Sequence, residues 1–231
     1  MFFPFYDPTM IIVIPFVLFT FYAQFKVKST FNKYLDVSAN KGYTGAEISK
    51  DILKRKGLED VRVEQTSGKL NDHYDPKSKT VRLSSEVYQG RSIASLGVAA
   101  HETGHAIQHA VAYTPLTIRH SLFPAANFGS QLGLPIAVFG FIFFKSALLV
   151  KLGIILFGAA VLFQIVTLPV EFNASSRAIR LLKTGGYLAS DELKPTKKVL
   201  KAAALTYVAA ALVSVAHLLR LIMMAGMLDD D

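Results

Sequence analysis

Four apolar runs divide the chain, and the polar stretches between them follow shorter periods. The runs are residues 8–25, 121–144, 152–170 and 202–228. The first three carry no charge, and the fourth has only His217 and Arg220. About 20 apolar residues in helix cross a bilayer, so the pattern predicts four transmembrane helices. Lys145 and Lys151 bracket the short link 146–150, which predicts a hairpin of the second and third runs. The first run has no basic stretch before it and no small-residue cleavage site after it. It reads as an uncleaved anchor rather than a signal sequence.

Between the first two runs the pattern changes. Thr44-Gly45-Ala46-Glu47 is a capping box that opens a helix running to about Lys56, with Gly57 as its stop. Residues 61–66 alternate as a strand does. Residues 70–74 and 80–84 flank Asp75-Pro76-Lys77-Ser78, a turn sequence, and predict a β-hairpin. Residues 96–112 hold few helix breakers and predict a helix. The fold class is therefore an α+β membrane protein. Its extramembrane unit, residues 26–120, is small enough to need the membrane helices to complete its core.

Composition supports that reading. Of 231 residues, 52% are hydrophobic, and mean hydropathy is +0.36. The absence of Cys excludes disulfides and thiolate ligands. A net charge of +8 in a soluble chain would raise nucleic acid as a partner. Here the charges flank apolar runs, so the bilayer explains them and no nucleic acid is expected. Lys26, Lys28 and Lys33 follow the first run. Arg177, Arg180, Lys183, Lys194, Lys197, Lys198 and Lys201 lie between the third and fourth, and the tail is Asp229-Asp230-Asp231. The positive-inside rule then puts 26–120 and 171–201 together on the cytoplasmic side, with Lys145 and Lys151 counting weakly the other way. Arg220 is expected near the outer interface, with its head reaching out to water.

The chemistry sits in His101-Glu102-Thr103-Gly104-His105. On a helix, residues four apart share a face, so both imidazoles reach one metal ion. Glu102 is offset by one position, where its carboxylate meets an attacking water rather than the ion. This is the zinc-hydrolase arrangement of two ligands and a general base, and it gives the unit a zincin-like character. A third ligand must be His, Asp or Glu. His109 is one turn further along the same helix, and successive turns cannot all surround one ion. His120 lies at the edge of the second run. Glu171 is the first charge after the third run, on the same predicted side as the motif. A carboxylate at a membrane edge needs a partner, and a metal is one such partner.

With Glu171-Phe172-Asn173-Ala174-Ser175 beyond a transmembrane hairpin, the chain resembles the gluzincin layout of HtpX and the CAAX prenyl protease. It resembles more closely the YugP-type family of bacterial membrane zinc metallopeptidases. The carrying segments are Asn71-Asp72-His73-Tyr74-Asp75-Pro76, residues 99–108 around the motif, and Leu168-Pro169-Val170-Glu171-Phe172-Asn173-Ala174-Ser175. The resemblance covers residues 42–180. It implies a multi-pass protein of the bacterial inner or plasma membrane that hydrolyses peptide bonds. It implies one zinc per chain, held by His101, His105 and Glu171, with Glu102 as base. Ser175 stands where the HtpX-like pattern has an Asp that orients a ligand His, so Asn173 or Ser175 is left for that task. His73, Tyr74, Arg177 and Tyr187 are the candidates to steady a developing oxyanion. Protein or peptide substrates at the membrane are the expected partners, and the strand at 70–74 offers an edge for an extended one. The competing reading is a non-catalytic membrane scaffold whose zinc is structural. A closed four-ligand site using His109 or His120 would mark it.

Overall fold

A computed structural model describes residues 8–229, so Asp230 and Asp231 of the acidic tail lie outside the described residues. The helices are α1 (Ile14–Leu35), α2 (Gly45–Arg55), α3 (Ser85–Tyr88), α4 (Ile93–Ala110), α5 (Thr114–Phe128), α6 (Leu134–Ile142), α7 (Ala147–Thr184) and α8 (Ser190–Asp229). A π-helical turn, Gly129–Gly133, joins α5 to α6. The strands are β1 (Arg62–Thr66), β2 (His73–Asp75) and β3 (Thr80–Ser84). Four helical stretches are long and apolar enough to cross a membrane: Thr9–Leu35, Thr114–Ile142, Ala147–Thr184 and Ser190–Leu228. Each extends beyond the apolar run that predicted it. Polar helix continues where the sequence pattern marked only the end of a span.

The chain forms two compact units. Among the described residues, the first holds 8–23, Ile118–Leu168 and 206–229. Its core includes Ala137, Val150, Phe157, Val161, Leu221 and Met224. Its outer faces carry large apolar side chains such as Leu148, Ile155, Phe128 and Phe144. That is the surface a protein presents to lipid rather than to water. Small residues let the hairpin close. A Cβ on Gly133 would stand 2.6 Å from Phe157 N, and one on Gly153 would stand 2.6 Å from Gly133 O. Apolar surface gains nothing from leaving lipid, so close van der Waals packing carries helix association there. Arg220 corrects an expectation. It is buried at 7% exposure and turns into the unit instead of reaching outward.

The second unit holds Gln24–Thr117 and Pro169–Leu205. The predicted capping box is present: Thr44 Oγ1 accepts from Glu47 N–H, and Glu47 accepts from Thr44 N–H at 2.8 Å. Gly57 has φ +69°, the left-handed value that ends α2. The hairpin forms, with β2 antiparallel to β3, but β2 begins at His73 because Leu70 takes φ 56° and leaves the extended region. β1 pairs parallel to β3, giving the order β1-β3-β2. The core gathers Ile48, Leu53, Val81, Leu83, Leu96 and Ala99 with Ala178 and Leu182 of α7 and Val199 and Leu200 of α8. The long helices thus supply part of this core.

The glycine contacts give a direct test. Gly133→Val forces a side chain into Phe157, whereas Gly158 has nothing within 4 Å of an added Cβ. Thermal unfolding in detergent is expected to fall by several degrees for Gly133→Val and to stay unchanged for Gly158→Ala. Overpacking of this kind costs about 1–3 kcal/mol.

Candidate metal centre

Two helices of the second unit build the site. His101 and His105 lie one turn apart on α4, with ring centroids 4.8 Å apart and ring planes at 87°. Glu171 comes from α7, two residues after Pro169, and its side chain is 2% exposed. Its Oε2 lies 3.3 Å from His101 Nε2 and 3.5 Å from His105 Nε2. Donors bound at about 2.0–2.1 Å to a tetrahedral zinc ion stand about 3.3–3.4 Å from one another. The two nitrogen–oxygen separations therefore suit a shared ion, and so does the donor chemistry of two imidazoles and a carboxylate. One ligand atom from each residue lies within 4.8 Å of the others, and among the described residues no fourth His, Cys, Asp or Glu joins the group.

The approach of α7 to α4 depends on small residues. A Cβ added to Gly104 would stand 3.1 Å from Ala174 O, and Ala174 is itself fully buried. Larger side chains at this crossing would move Glu171 away from the imidazoles.

Hydrogen bonds set the ring orientations. His105 Nδ1–H donates to Gln108 Oε1 at 2.9 Å, which turns Nε2 toward Glu171. Gln108 is fully buried and donates its amide to Val170 O at 2.9 Å and Asn173 Oδ1 at 3.0 Å. Arg177 Nε donates to the same Asn173 oxygen at 2.7 Å. His101 Nδ1–H lies 3.2 Å from Ser175 Oγ in the corresponding arrangement. Burial works against charge on His105, but its hydrogen bond to Glu171 and the nearby Glu102 carboxylate prevail and raise its pKa. The site attracts positive charge, which a metal cation supplies as well as a proton does.

Glu102 is buried at 9% exposure on α4, beside the two ligand positions. A second carboxylate approaches it. Burial pushes the Asp72 carboxyl up, hydrogen bonds from Ser84 N–H and Oγ oppose the rise, and Glu102 adds to it. Tyr74 Oη lies 2.8 Å from His109 Nδ1, joining β2 to the last turn of α4. His73 lies at the exposed start of β2 with Nδ1 on Asn71 O. Tyr187 donates its hydroxyl to Asp51 on α2, so that hydroxyl is committed there and not to an oxyanion. Neither His109 nor His120 belongs to the ligand group.

Sequence reasoning missed Gln108. The signal was present: it lies three residues after His105, on the same helix face, where its amide can reach that imidazole. Removing it leaves a buried Nδ1–H without an acceptor. Gln108→Ala is expected to weaken divalent-metal affinity about 10–100-fold while every ligand stays in place. Competition against a chromogenic chelator measures this, and unchanged affinity would count against an orienting role.

Comparison with known proteins follows from this geometry. Residues 9–226 match the family described as "Putative neutral zinc metallopeptidase". The chain is 54% identical over 204 residues to the "Putative membrane protease YugP" of Bacillus subtilis (strain 168), covering 88% of this chain and 90% of that one. No solved structure matches it. The family match takes in His101, His105 and Glu171, and the chain belongs to this zinc metallopeptidase family.

Proposed function

We propose that the protein is a membrane-embedded zinc endopeptidase acting on membrane or juxtamembrane proteins at the cytoplasmic face. The carrying observation is Glu171 Oε2 within 3.5 Å of both imidazole Nε2 atoms, with a buried glutamate beside them. His101, His105 and Glu171 are the residues that would hold the ion. Zinc at such a site supplies Lewis acidity toward water and the scissile carbonyl. Glu102 takes the proton from the attacking water and passes it to the leaving amine. Its burial keeps that proton transfer away from bulk solvent. Gln108 and Ser175 hold the two imidazoles in the tautomer that turns Nε2 toward the ion.

His101, His105 and Glu171 would hold an ion with three donors and no fourth among the described residues, a set that favours catalysis over a structural zinc. The outer edge of β2 carries no strand among the described residues, and β2 packs on α4. An extended peptide adding there as a further strand would run beside the motif helix. The cytoplasmic assignment rests on the basic residues that follow the first run and lie between the third and fourth.

Metal analysis and peptidase assays on purified protein test the reading. Wild type is expected to hold one zinc per chain. Glu102→Gln is expected to keep that zinc while losing about 100–10,000-fold in hydrolysis of a fluorogenic protein substrate. A fully active Glu102→Gln enzyme would refute the mechanism. Glu171→Ala is expected to lose most of its metal, and metal content equal to wild type would remove Glu171 from the ligand set.

A further inference from the structure

Strand β2 packs on α4, and two side chains show on which face. Glu102 and His109 are seven residues apart on α4, so they stand within about 20° of one another around the helix and about 10 Å apart along it. Tyr74 of β2 meets the far end of that face through its hydroxyl, 2.8 Å from His109 Nδ1. Side chains two apart on an extended chain point the same way. Asp72, just before β2, therefore faces α4 as Tyr74 does, while His73 between them is exposed. Two residues of strand cover about 6–7 Å, which brings Asp72 back from His109 to where the Glu102 charge acts on it.

Asp72 is anchored there but not neutralised. The fully buried Ser84 donates its N–H to Asp72 Oδ1 at 2.8 Å, and its Oγ lies 3.1 and 3.2 Å from the two carboxylate oxygens. Neutral donors fix a carboxylate without supplying positive charge. Among the described residues, Asp72 forms no ion pair, and Glu102 forms neither an ion pair nor a side-chain hydrogen bond. Burial and the Glu102 charge both raise the Asp72 carboxyl, as they do where a cation is lacking. Glu171 and Glu102 stand beside the candidate centre, where a divalent ion would offset them. Asp72 is the carboxylate left over, at the end of the strand whose outer edge is open to an extended peptide.

We propose that Asp72 is a specificity-determining residue that selects a Lys or Arg side chain flanking the scissile bond of the substrate. This role rests on the peptidase reading. A peptide added along β2 passes Asp72 and the Glu102 base together. A cationic side chain turning in at that point forms a charge-assisted hydrogen bond with a carboxylate that Ser84 already holds in place. The cost of ordering then falls on the substrate side chain. An acidic side chain at the same point meets like charge from two carboxylates and is rejected.

Two measurements on the detergent-purified full chain test this. In the first, wild type cleaves a mixed library of N-acetylated peptides, and the cut sites are read by mass spectrometry. Acetylation removes the α-amine as a competing cation. Lys and Arg are expected to be enriched at one position flanking the cut, and Asp72→Asn, whose amide oxygen still accepts from Ser84, is expected to lose that enrichment. In the second, Glu102→Gln, which lacks both the base and its charge, binds a labelled N-acetylated peptide with one central Lys or its norleucine counterpart. The Lys peptide is expected to bind at least about tenfold tighter, and adding Asp72→Asn is expected to abolish the difference. Metal content is expected to match wild type in every sample, which separates a lost preference from a damaged centre. Cleavage without basic enrichment overturns this role alone. Equal binding of the two peptides to Glu102→Gln does so as well, as does a preference that survives Asp72→Asn. Absence of any cleavage by zinc-loaded wild type overturns the peptidase reading and this role with it.

Discussion

The requirement that a buried carboxylate be matched by positive charge governs this structure. Glu171 is 2% exposed. Taking a carboxylate out of water costs several kcal/mol unless charge and hydrogen bonds compensate. The two imidazoles face it through Nε2, and a proton or a metal cation shared with them supplies the compensating charge. The hydrogen bonds from the ring Nδ1 atoms to Gln108 and Ser175 then acquire a purpose. They fix which nitrogen each ring turns toward Glu171. The site is specified from behind as well as from in front.

The same requirement shapes the packing. For Glu171 to reach α4, the two helices must nearly touch, and Gly104 against Ala174 allows it. The unit boundary falls between Leu168 and Pro169, two residues before the ligand. One continuous helix, α7, thus carries exposed apolar residues such as Ile155 along one stretch and the Glu171 carboxylate of the candidate metal centre farther along it. Proline at the seam removes a backbone donor from the ladder. The change of environment along α7 is met within one helix, without a loop that would loosen the ligand.

Local signals were legible in the sequence, and pairings across the chain were not. Thr44 to Glu47, Gly57 and the turn at Asp75 to Ser78 act through neighbours three or four residues away, so their residue types alone declared α2 and the hairpin. The four apolar runs were equally plain. The parallel pairing of β1 with β3 depends on which strand the core admits, and alternation in 61–66 carries no information about its partner. The apolar runs marked where spans could lie and not where helices end. Glu171 and Lys201 border the third and fourth runs, yet α7 and α8 continue past them because Ala178, Leu182, Val199 and Leu200 of those polar stretches pack into the second unit's core. Arg220 was read from its neighbours in sequence as outward-reaching, and tertiary packing turned it inward.

The ligand spacing carries a further consequence for the fold. His101 and Glu171 are 70 residues apart in sequence, so an ion shared between them would close a long loop. Closing such a loop limits the unfolded chain more than it limits the native one, and binding energy at the ion becomes folding energy for the unit that contains it. The two parts of that unit, Gln24–Thr117 and Pro169–Leu205, are separated in sequence by a stretch belonging to the other unit. Their association already rests on Ala178, Leu182, Val199 and Leu200 meeting Leu53, Leu96 and Ala99. The apolar core brings the segments together, and an ion shared by His101, His105 and Glu171 would hold the crossing of α4 and α7. On the proposed reading, the same three donors would set both the reactivity of the centre and its contribution to stability.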